Sequence, residues 1–501
     1  MIKNLLLYSI LLLSIPITHA QTDLDALRYS ITGVQGTARN IALGNTMGTI
    51  GADFSSLSTN PAGIAKFSST EFTLSTAVSI GQTSGTYLNN STDNSKAKFQ
   101  LTNIGIIVSS KYLRENANKN WNDLKFGIGL NRLANYNDEY YFGGYNEKNS
   151  LLDNYWEKLS DRNIIQSEDD ARTKYPFDAS IAYQLGLLTA DSLGNIYTAT
   201  NNGHMQQDYS IKKSGGMDEL AIGFGSIYKD KIMIGASLGI PIINYNERVR
   251  LKETDTKDSA FDLNSFSNET ILKTTGAGFN IKFGIIAMPI KNLRLSVAFQ
   301  TPGILYMRDV YATNMEVDYA SESYILTGES PEGISKYKFV QPWKFISGAG
   351  YIHKYGLVSF EYELTDAGSS KFRLNGADTD SKSYENSVNQ TVRQKYGILH
   401  TIKGGVEFKF DPMRIRGGIQ YRTSAYKSGY APENINTTSL TYSAGIGYRG
   451  KNFFADIAYQ QTSFKEIFSP YSIQTEAWRP APSAVLTTKR PSIILTVGYK
   501  L

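Results

Sequence analysis

The sequence predicts an all-β chain: a transmembrane antiparallel β-barrel of about 14 strands, with an N-terminal plug inside it. Three observations predict this. Composition is the first, since 43 Gly and 33 Tyr against only 14 Pro in 501 residues suit many strands with small inward side chains and aromatic belts. The second is an apolar/polar alternation that recurs from about residue 71 to the last residue. The third is that short and long connections between those strands take turns.

Residues 1–20, MIKNLLLYSILLLSIPITHA, join Lys3 to an apolar run from Leu5 to Ile15 and a Thr18-His19-Ala20 ending. That is the layout of a cleaved secretory signal, too short for a membrane-spanning helix. Gln21 follows, so the lipid-bearing Cys of a lipoprotein is missing. The chain has no Cys at all, which removes disulfides, thiol catalysis and Cys-based metal sites together. No later stretch holds enough consecutive apolar residues for a membrane helix. Charge is nearly balanced, 51 Lys and Arg against 46 Asp and Glu, with no long basic run, so a nucleic-acid surface is not expected.

Residues 21–69 are rich in Ser, Gly and Ala and too poor in large apolar groups to build a core. Gly33, Gly36, Gly44, Gly48, Gly51 and Gly63 permit tight bends, and Asn60-Pro61-Ala62-Gly63 marks a turn. Such a segment can sit within a larger barrel by hydrogen-bonding a polar wall. It is expected to be a hatch, with the barrel occupying residues 70–501.

The strands justify the barrel one after another. Phe72, Leu74, Val78 and Ile80 alternate with Glu71, Thr73, Ser75 and Ser79; Phe279, Ile281, Phe283 and Ile285 alternate with Asn280, Lys282 and Gly284. The final strand sets Ile493, Leu495, Val497, Tyr499 and Leu501 against Ile494, Thr496, Gly498 and Lys500. One face keeps collecting glycines and charges. In a bilayer, only a closed sheet pairs every backbone group without water. Strand starts near residues 71, 98, 124, 217, 231, 270, 292, 338, 356, 396, 413, 438, 451 and 490 number 14, an even count; two more strands in 177–212 would make 16. A short helix is expected there instead, because Phe177, Ile181, Ala182, Leu185 and Leu188 fall at helical spacing. Turns near 229–231, 290–292, 353–355, 411–412 and 449–452 are short, whereas 143–215, 303–336, 367–395 and 464–489 read as long loops. The short side is expected in the periplasm, with Phe408, Phe410, Tyr448, Phe453 and Tyr499 as its aromatic girdle.

DALRYSITGVQGTARNIALGNTMGTIGADFSSLSTNPAGIAKFSSTEF, followed by KIMIGASLGIPIINYNE, LRLSVAFQTP, VQPWKFISGAGYI and IGYRGKNFFADIAY, resembles the long-chain fatty acid outer-membrane transporter (FadL) family in its Bacteroidetes-type branch. The likeness covers nearly the whole chain after the signal, and its most specific element, the NPA motif, falls on Asn60, Pro61 and Ala62. The resemblance implies an integral protein of a Gram-negative outer membrane, a hatch-plugged barrel of 14 strands, and diffusive uptake of hydrophobic, fatty-acid-like molecules released through a lateral opening. The chain ends in Leu501 where many such barrels end in an aromatic residue.

Chemistry elsewhere is sparse. GASLG at 235–239 has the spacing of a serine-hydrolase elbow, but Ser237 lies inside a strand rather than at a strand-turn-helix, so no enzyme is expected. Four histidines, one in the signal, show no zinc pattern, and the acidic Glu168-Asp169-Asp170 run lacks calcium-loop spacing; no cofactor or metal is expected. LLDNYWEKL puts Leu152, Tyr155, Trp156 and Leu159 on one helical stripe, which with Leu185 offers a landing site for a greasy substrate or else packs against neighbouring loops. Arg414, Arg416 and Arg422 either steer an anionic headgroup or pair with Glu361, Glu363 and Glu407. The leading expectation is a passive transporter whose hatch shifts around Asn60–Gly63; the alternative is a related plugged barrel acting in secretion or surface attachment through protein partners.

Overall fold

The computed structural model describes residues 21–109, 120–121, 124–192, 194–198, 204–257, 262–376, 379–431, 435–473 and 480–501; the expected signal, 1–20, lies outside them. Ahead of the first strand come α1 (Asp23–Ser30), α2 (Ala38–Ala42) and α3 (Met47–Ile50), then two 3₁₀ turns, Phe54–Ser58 and Pro61–Lys66. Caps made by short polar residues start several of these pieces. Thr22 and Asp25 form a reciprocal capping box on α1, Thr37 caps α2, and Asp53 and Asn60 cap the two 3₁₀ turns.

A 14-stranded antiparallel sheet follows and closes on itself. Its strands are β1 (Glu71–Tyr87), β2 (Asn90–Ser109), β3 (Lys125–Asn135, resumed as Asp138–Asn146), β4 (Met205–Tyr228), β5 (Ile232–Thr254) and β6 (Leu263–Ile290). Next are β7 (Leu293–Gln300, resumed as Ile304–Tyr319), β8 (Leu326–Glu329, Gly333–Val340 and Lys344–His353) and β9 (Gly356–Asp366, resumed as Lys371–Leu374). The last are β10 (Ile398–Phe410), β11 (Met413–Arg422), β12 (Ser439–Arg449), β13 (Phe453–Phe468) and β14 (Ala484–Lys500). The β14 ladder to β1, from Glu71↔Lys500 to Thr86↔Val485, shuts the cylinder. The connection from β3 to β4 carries α4 (Leu151–Ser160), α5 (Glu168–Thr173) and α6 (Ala179–Gln184), and the described residues of 177–212 add no further barrel strand: they hold α6, a small separate hairpin and the start of β4.

Burial is inverted relative to a water-soluble sandwich. On β14, outward Ile493 and Leu495 are 53% and 49% exposed, whereas inward Thr496 is fully buried. The five expected girdle aromatics, Phe408, Phe410, Tyr448, Phe453 and Tyr499, all point outward and are exposed near the short turns. Apolar groups outside and polar groups inside suit lipid around the wall. No helix among the described residues is long and apolar enough to cross a membrane.

The strands run further than their lipid-facing stretches. Two of the expected long loops shrink as a result: 303–336 is mostly strand, with only 320–325 connecting β7 to β8, and β13 and β14 reach into 464–489. Beyond the lipid belt the outward face turns polar, as at Gln206, Asp208, Ser210 and Lys212 and at Arg248, Arg250 and Lys252, while Tyr209, Ile211 and Leu251 are buried on the inward face, so the alternation reverses while the ladder continues. The rim is uneven. β4–β7 rise high, whereas β10–β12 are short, and α7 (Thr379–Lys395) packs on the upper part of β9, where Asn389 bonds the Phe372 backbone.

Candidate functional site

The lumen is built in three levels. Lowest is the seat of the hatch, made by inward glycines. Gly225, Gly235 and Gly284 lie in register on β4, β5 and β6. A Cβ at Gly225 would stand 3.2 Å from the Pro61 carbonyl oxygen, and one at Gly284 would stand 2.9 Å from Asn60 Cγ. The Asn60-Pro61-Ala62 turn therefore lies directly on backbone, where no larger residue fits. Asn60 and Ala62 are buried, and the Asn60 side chain turns back to accept the Ala62 N–H at 3.2 Å. On the opposite wall the left-handed Gly44 (φ 64°) rests on Gly418, which pairs with Gly405. Phe54, Leu57 and Ile64 fill the space between with Ile107. Ser237 donates to the Leu57 carbonyl at 2.8 Å, so the serine of GASLG is occupied in holding the hatch. A charge chain ties the same level together: Arg39 lies 3.7 Å from Glu407, which accepts from Arg416 at 2.6 Å, while Arg416 also reaches Asp456 at 2.6 Å.

The middle level is a cavity of about 590 Å³. Hatch residues Leu27, Ile31 and Val34 give it an apolar side, and Leu133, Leu272 and Ile346 add apolar wall. Ion pairs line the rest: Lys403–Glu363 at 2.7 Å, Lys213–Glu466 at 3.2 Å and Arg490–Asp138 at 2.6 Å. Arg422 also lines the cavity; among the described residues its side chain makes no hydrogen bond or ion pair, and Glu363 is the carboxylate that attracts it. Of the three arginines weighed from sequence, Arg416 and Arg414 are thus taken by Glu407, Asp456 and Asp411, while Arg422 faces open space. Arg28 of α1 stacks over Tyr245 at 4.1 Å from its ring centre. Burial alone would lower its pKa, but Tyr245, Asp25 and Glu247 hold it well above the usual arginine value, so it stays cationic.

The wall beside this cavity is interrupted. β2 and β3 pair only from Ser109↔Lys125 up to Asn103↔Asn131. Above that, residues 90–102 of β2 pair with β1 alone, and the resumed part of β3 pairs with β4 alone. The break falls at Tyr136-Asn137, where the Tyr136 N–H turns to the carbonyl of Gly215 at 3.1 Å. Hatch residues 33–35 occupy the interruption: the Gly33 and Gln35 N–H groups donate to the Leu133 and Arg132 carbonyls at 2.9 and 2.8 Å, and Gln100 of β2 donates to the Gln35 side chain at 3.3 Å. Gly33, Val34 and Gln35 also line the cavity, so three hatch residues stand between it and the gap in the ladder.

The top level is a cap. Leu152, Tyr155 and Leu159 of α4 (Leu151–Ser160) are buried in an apolar core with Tyr87, Phe142, Tyr209 and Phe266. Trp156 and Leu185 pack partly buried against it; the Trp156 indole donates to the Ile196 carbonyl at 2.8 Å, and the Leu185 carbonyl accepts from Tyr319 at 3.0 Å. None of these five lines the cavity. Buried Glu253 of β5 pins the cap, accepting from the Ser150 hydroxyl at 2.6 Å, the Leu151 N–H at 2.9 Å and Gln207 at 2.8 Å. Sequence reasoning missed the partition at 33–35 and the break in β3. The signal for the break was available: Asn135-Tyr136-Asn137-Asp138 is a turn-forming run inside a strand. Among the described residues no group of three or more His, Asp or Glu side chains is placed to hold a metal.

No protein-family model and no curated protein matches this chain in sequence. Solved structures match in fold. A FadL homologue of Pseudomonas aeruginosa superposes with a TM-score of 0.54 at 10% identity, covering 94% of this chain and 99% of that one. A toluene transporter of P. putida, TodX, gives 0.52 at 10% identity, covering 93% and 98%. This chain accordingly shares the fold of these two proteins: a 14-stranded barrel with residues from 21 to about 66 packed inside.

Proposed function

We propose that this protein is a passive channel of a Gram-negative outer membrane that admits hydrophobic compounds, with fatty-acid-like amphiphiles as the leading substrates. One observation carries the reading: residues 33–35 line a cavity of about 590 Å³, apolar on its hatch side, and also fill an interruption in the ladder of the barrel wall. Two backbone hydrogen bonds and the Gln100–Gln35 side-chain bond hold that partition, each contributing on the order of 1 kcal/mol, so a bound ligand can displace it at modest cost. Arg422, beside the cavity and attracted to Glu363 without a direct hydrogen bond to it, is the group that would take a carboxylate.

In this reading residues 1–20 export the chain and are removed. The roof formed by Leu152, Tyr155, Trp156, Leu159 and Leu185 receives the compound, and the turn Asn60-Pro61-Ala62-Gly63 anchors the hatch while 33–35 moves. Similarity in fold to a toluene transporter and a FadL homologue supports a hydrophobic cargo.

The test uses a chain with no natural cysteine. Gln35→Cys with Gln100→Cys, joined by a short bifunctional thiol reagent, should lock the partition and stop uptake of labelled oleate. A cleavable reagent should then restore it. Full uptake through verified cross-linked protein rules out this route.

A further inference from the structure

We propose that the outward surface of β7, β8, β9 and α7, just above the lipid belt, binds the phosphorylated headgroup of an outer-leaflet glycolipid; this rests on reading the barrel as an outer-membrane protein.

β7 and β8 break at one level. Gln300↔Lys344 is the last pair below the break and Ile304↔Val340 the first above it. Below, outward residues are Leu295, Val297 and Phe299, the last stacked on Trp343 at 6.4 Å. Above, the same face turns basic within one strand step. Register sets Lys338 opposite Tyr306 on one side and Arg373 on the other, with Lys336 opposite Arg308 and Lys371 opposite Val340. Lys338 lies two residues from Val340, about 7 Å along the strand, which is the headgroup zone for side chains bordering an oily belt.

Two features single this surface out. Like charges directly opposite one another weaken a sheet, and here Arg308 faces Lys336 while Lys338 faces Arg373. Only Arg373 has a carboxylate, Glu385 at 2.9 Å; among the described residues Arg308, Lys336, Lys338, Lys371 and Arg393 form no ion pair. The second feature is a groove of about 630 Å³ where the array meets α7, lined by Lys371, Arg373, Arg393 and Lys427 with the amides of Asn386 and Gln390. Guanidinium forks and ammonium groups match phosphate, and amides match sugar hydroxyls. An anion spanning the array would offset the cross-strand repulsion. Attraction of Lys427 to the carbonyl end of α7, where it donates to Arg393 at 2.7 Å, explains one cation but not those on the strands.

The experiment titrates the purified full chain, in mild detergent, with bisphosphorylated lipid A and with its dephosphorylated form, reading bound copies by native mass spectrometry. Wild type should bind the phosphorylated form about tenfold more tightly, and Arg308→Ser/Lys336→Ser/Lys338→Ser should lose that preference. Lys371→Gln/Arg393→Gln gives a second, milder variant expected to lose part of it, should the triple variant not fold. Lys229→Ser/Lys231→Ser, at the opposite rim, should bind as wild type does. Equal binding of the two lipids by wild type, or an undiminished preference in the folded variants, overturns the proposal. Sedimentation with the outer-membrane fraction is scored alongside. Absence from that fraction overturns the membrane reading and this site with it, whereas correct insertion without a phosphate preference overturns the site alone.

Discussion

The bottom and the middle of the lumen solve the same problem in opposite ways. At the bottom, wall glycines let hatch backbone lie on sheet backbone, and nothing is left to move: the turn at Asn60 sits on Gly225, Gly235 and Gly284 with almost no solvent. In the middle, long charged side chains replace glycines and stand the hatch off the wall, leaving a cavity of about 590 Å³. The same segment is a fixed stopper where its neighbours are small and a weakly held partition where they are large. Side-chain size on the wall decides which part of the hatch can yield.

The sharpest way to break this contrast is to put bulk at the bottom. Gly284→Val pushes two methyl groups into Asn60 and Ala62, and overpacking of this kind costs about 1–3 kcal/mol. The hatch should become sensitive to protease added from the periplasmic side, and cells should admit large antibiotics such as vancomycin. A protected hatch would mean that the close fit is not what holds it. In the middle level, Arg422→Gln should lower labelled oleate uptake about tenfold, the loss of roughly one charge-assisted hydrogen bond, while toluene uptake is unchanged. Equal losses for both compounds would assign Arg422 a structural role instead. The smallest effect belongs to Ser237→Ala, which removes the bond to Leu57 and should cost about 1 kcal/mol in thermal unfolding. Any esterase activity detected in the preparation should survive it.

Much of this architecture was legible in the chain. Strand number and the position of the hatch followed from a period of two and from a Gly-rich, Ser-rich segment, because lipid imposes a simple rule on outward residues. That rule ends where lipid ends. The upper part of β7, Ile304–Tyr319, looked like loop because its outward Arg308 and Glu316 are polar, although its ladder to β6 continues from Phe279↔Ile304 to Leu263↔Tyr319. The glycines were visible as a class on one face, but their purpose needed register: only pairing brings Gly225, Gly235 and Gly284, distant in sequence, beneath a single turn. Arg416 and Arg422 look alike in sequence; their difference arises from Asp456, which β12–β13 pairing carries to Arg416 and not to Arg422.

The ladder from β14 back to β1 has a consequence for how the molecule is made. Residues 21–66 are synthesised before any barrel strand, yet Ala38 donates to Thr496 at 2.7 Å and the Leu501 N–H reaches the Thr70 carbonyl at 2.9 Å, at the far end of the chain. The seat of the hatch on β4–β6 is therefore available before the last strand arrives, but the contact at Ala38 is not. One pairing, β14 with β1, thus both shuts the wall and completes the seat of α2.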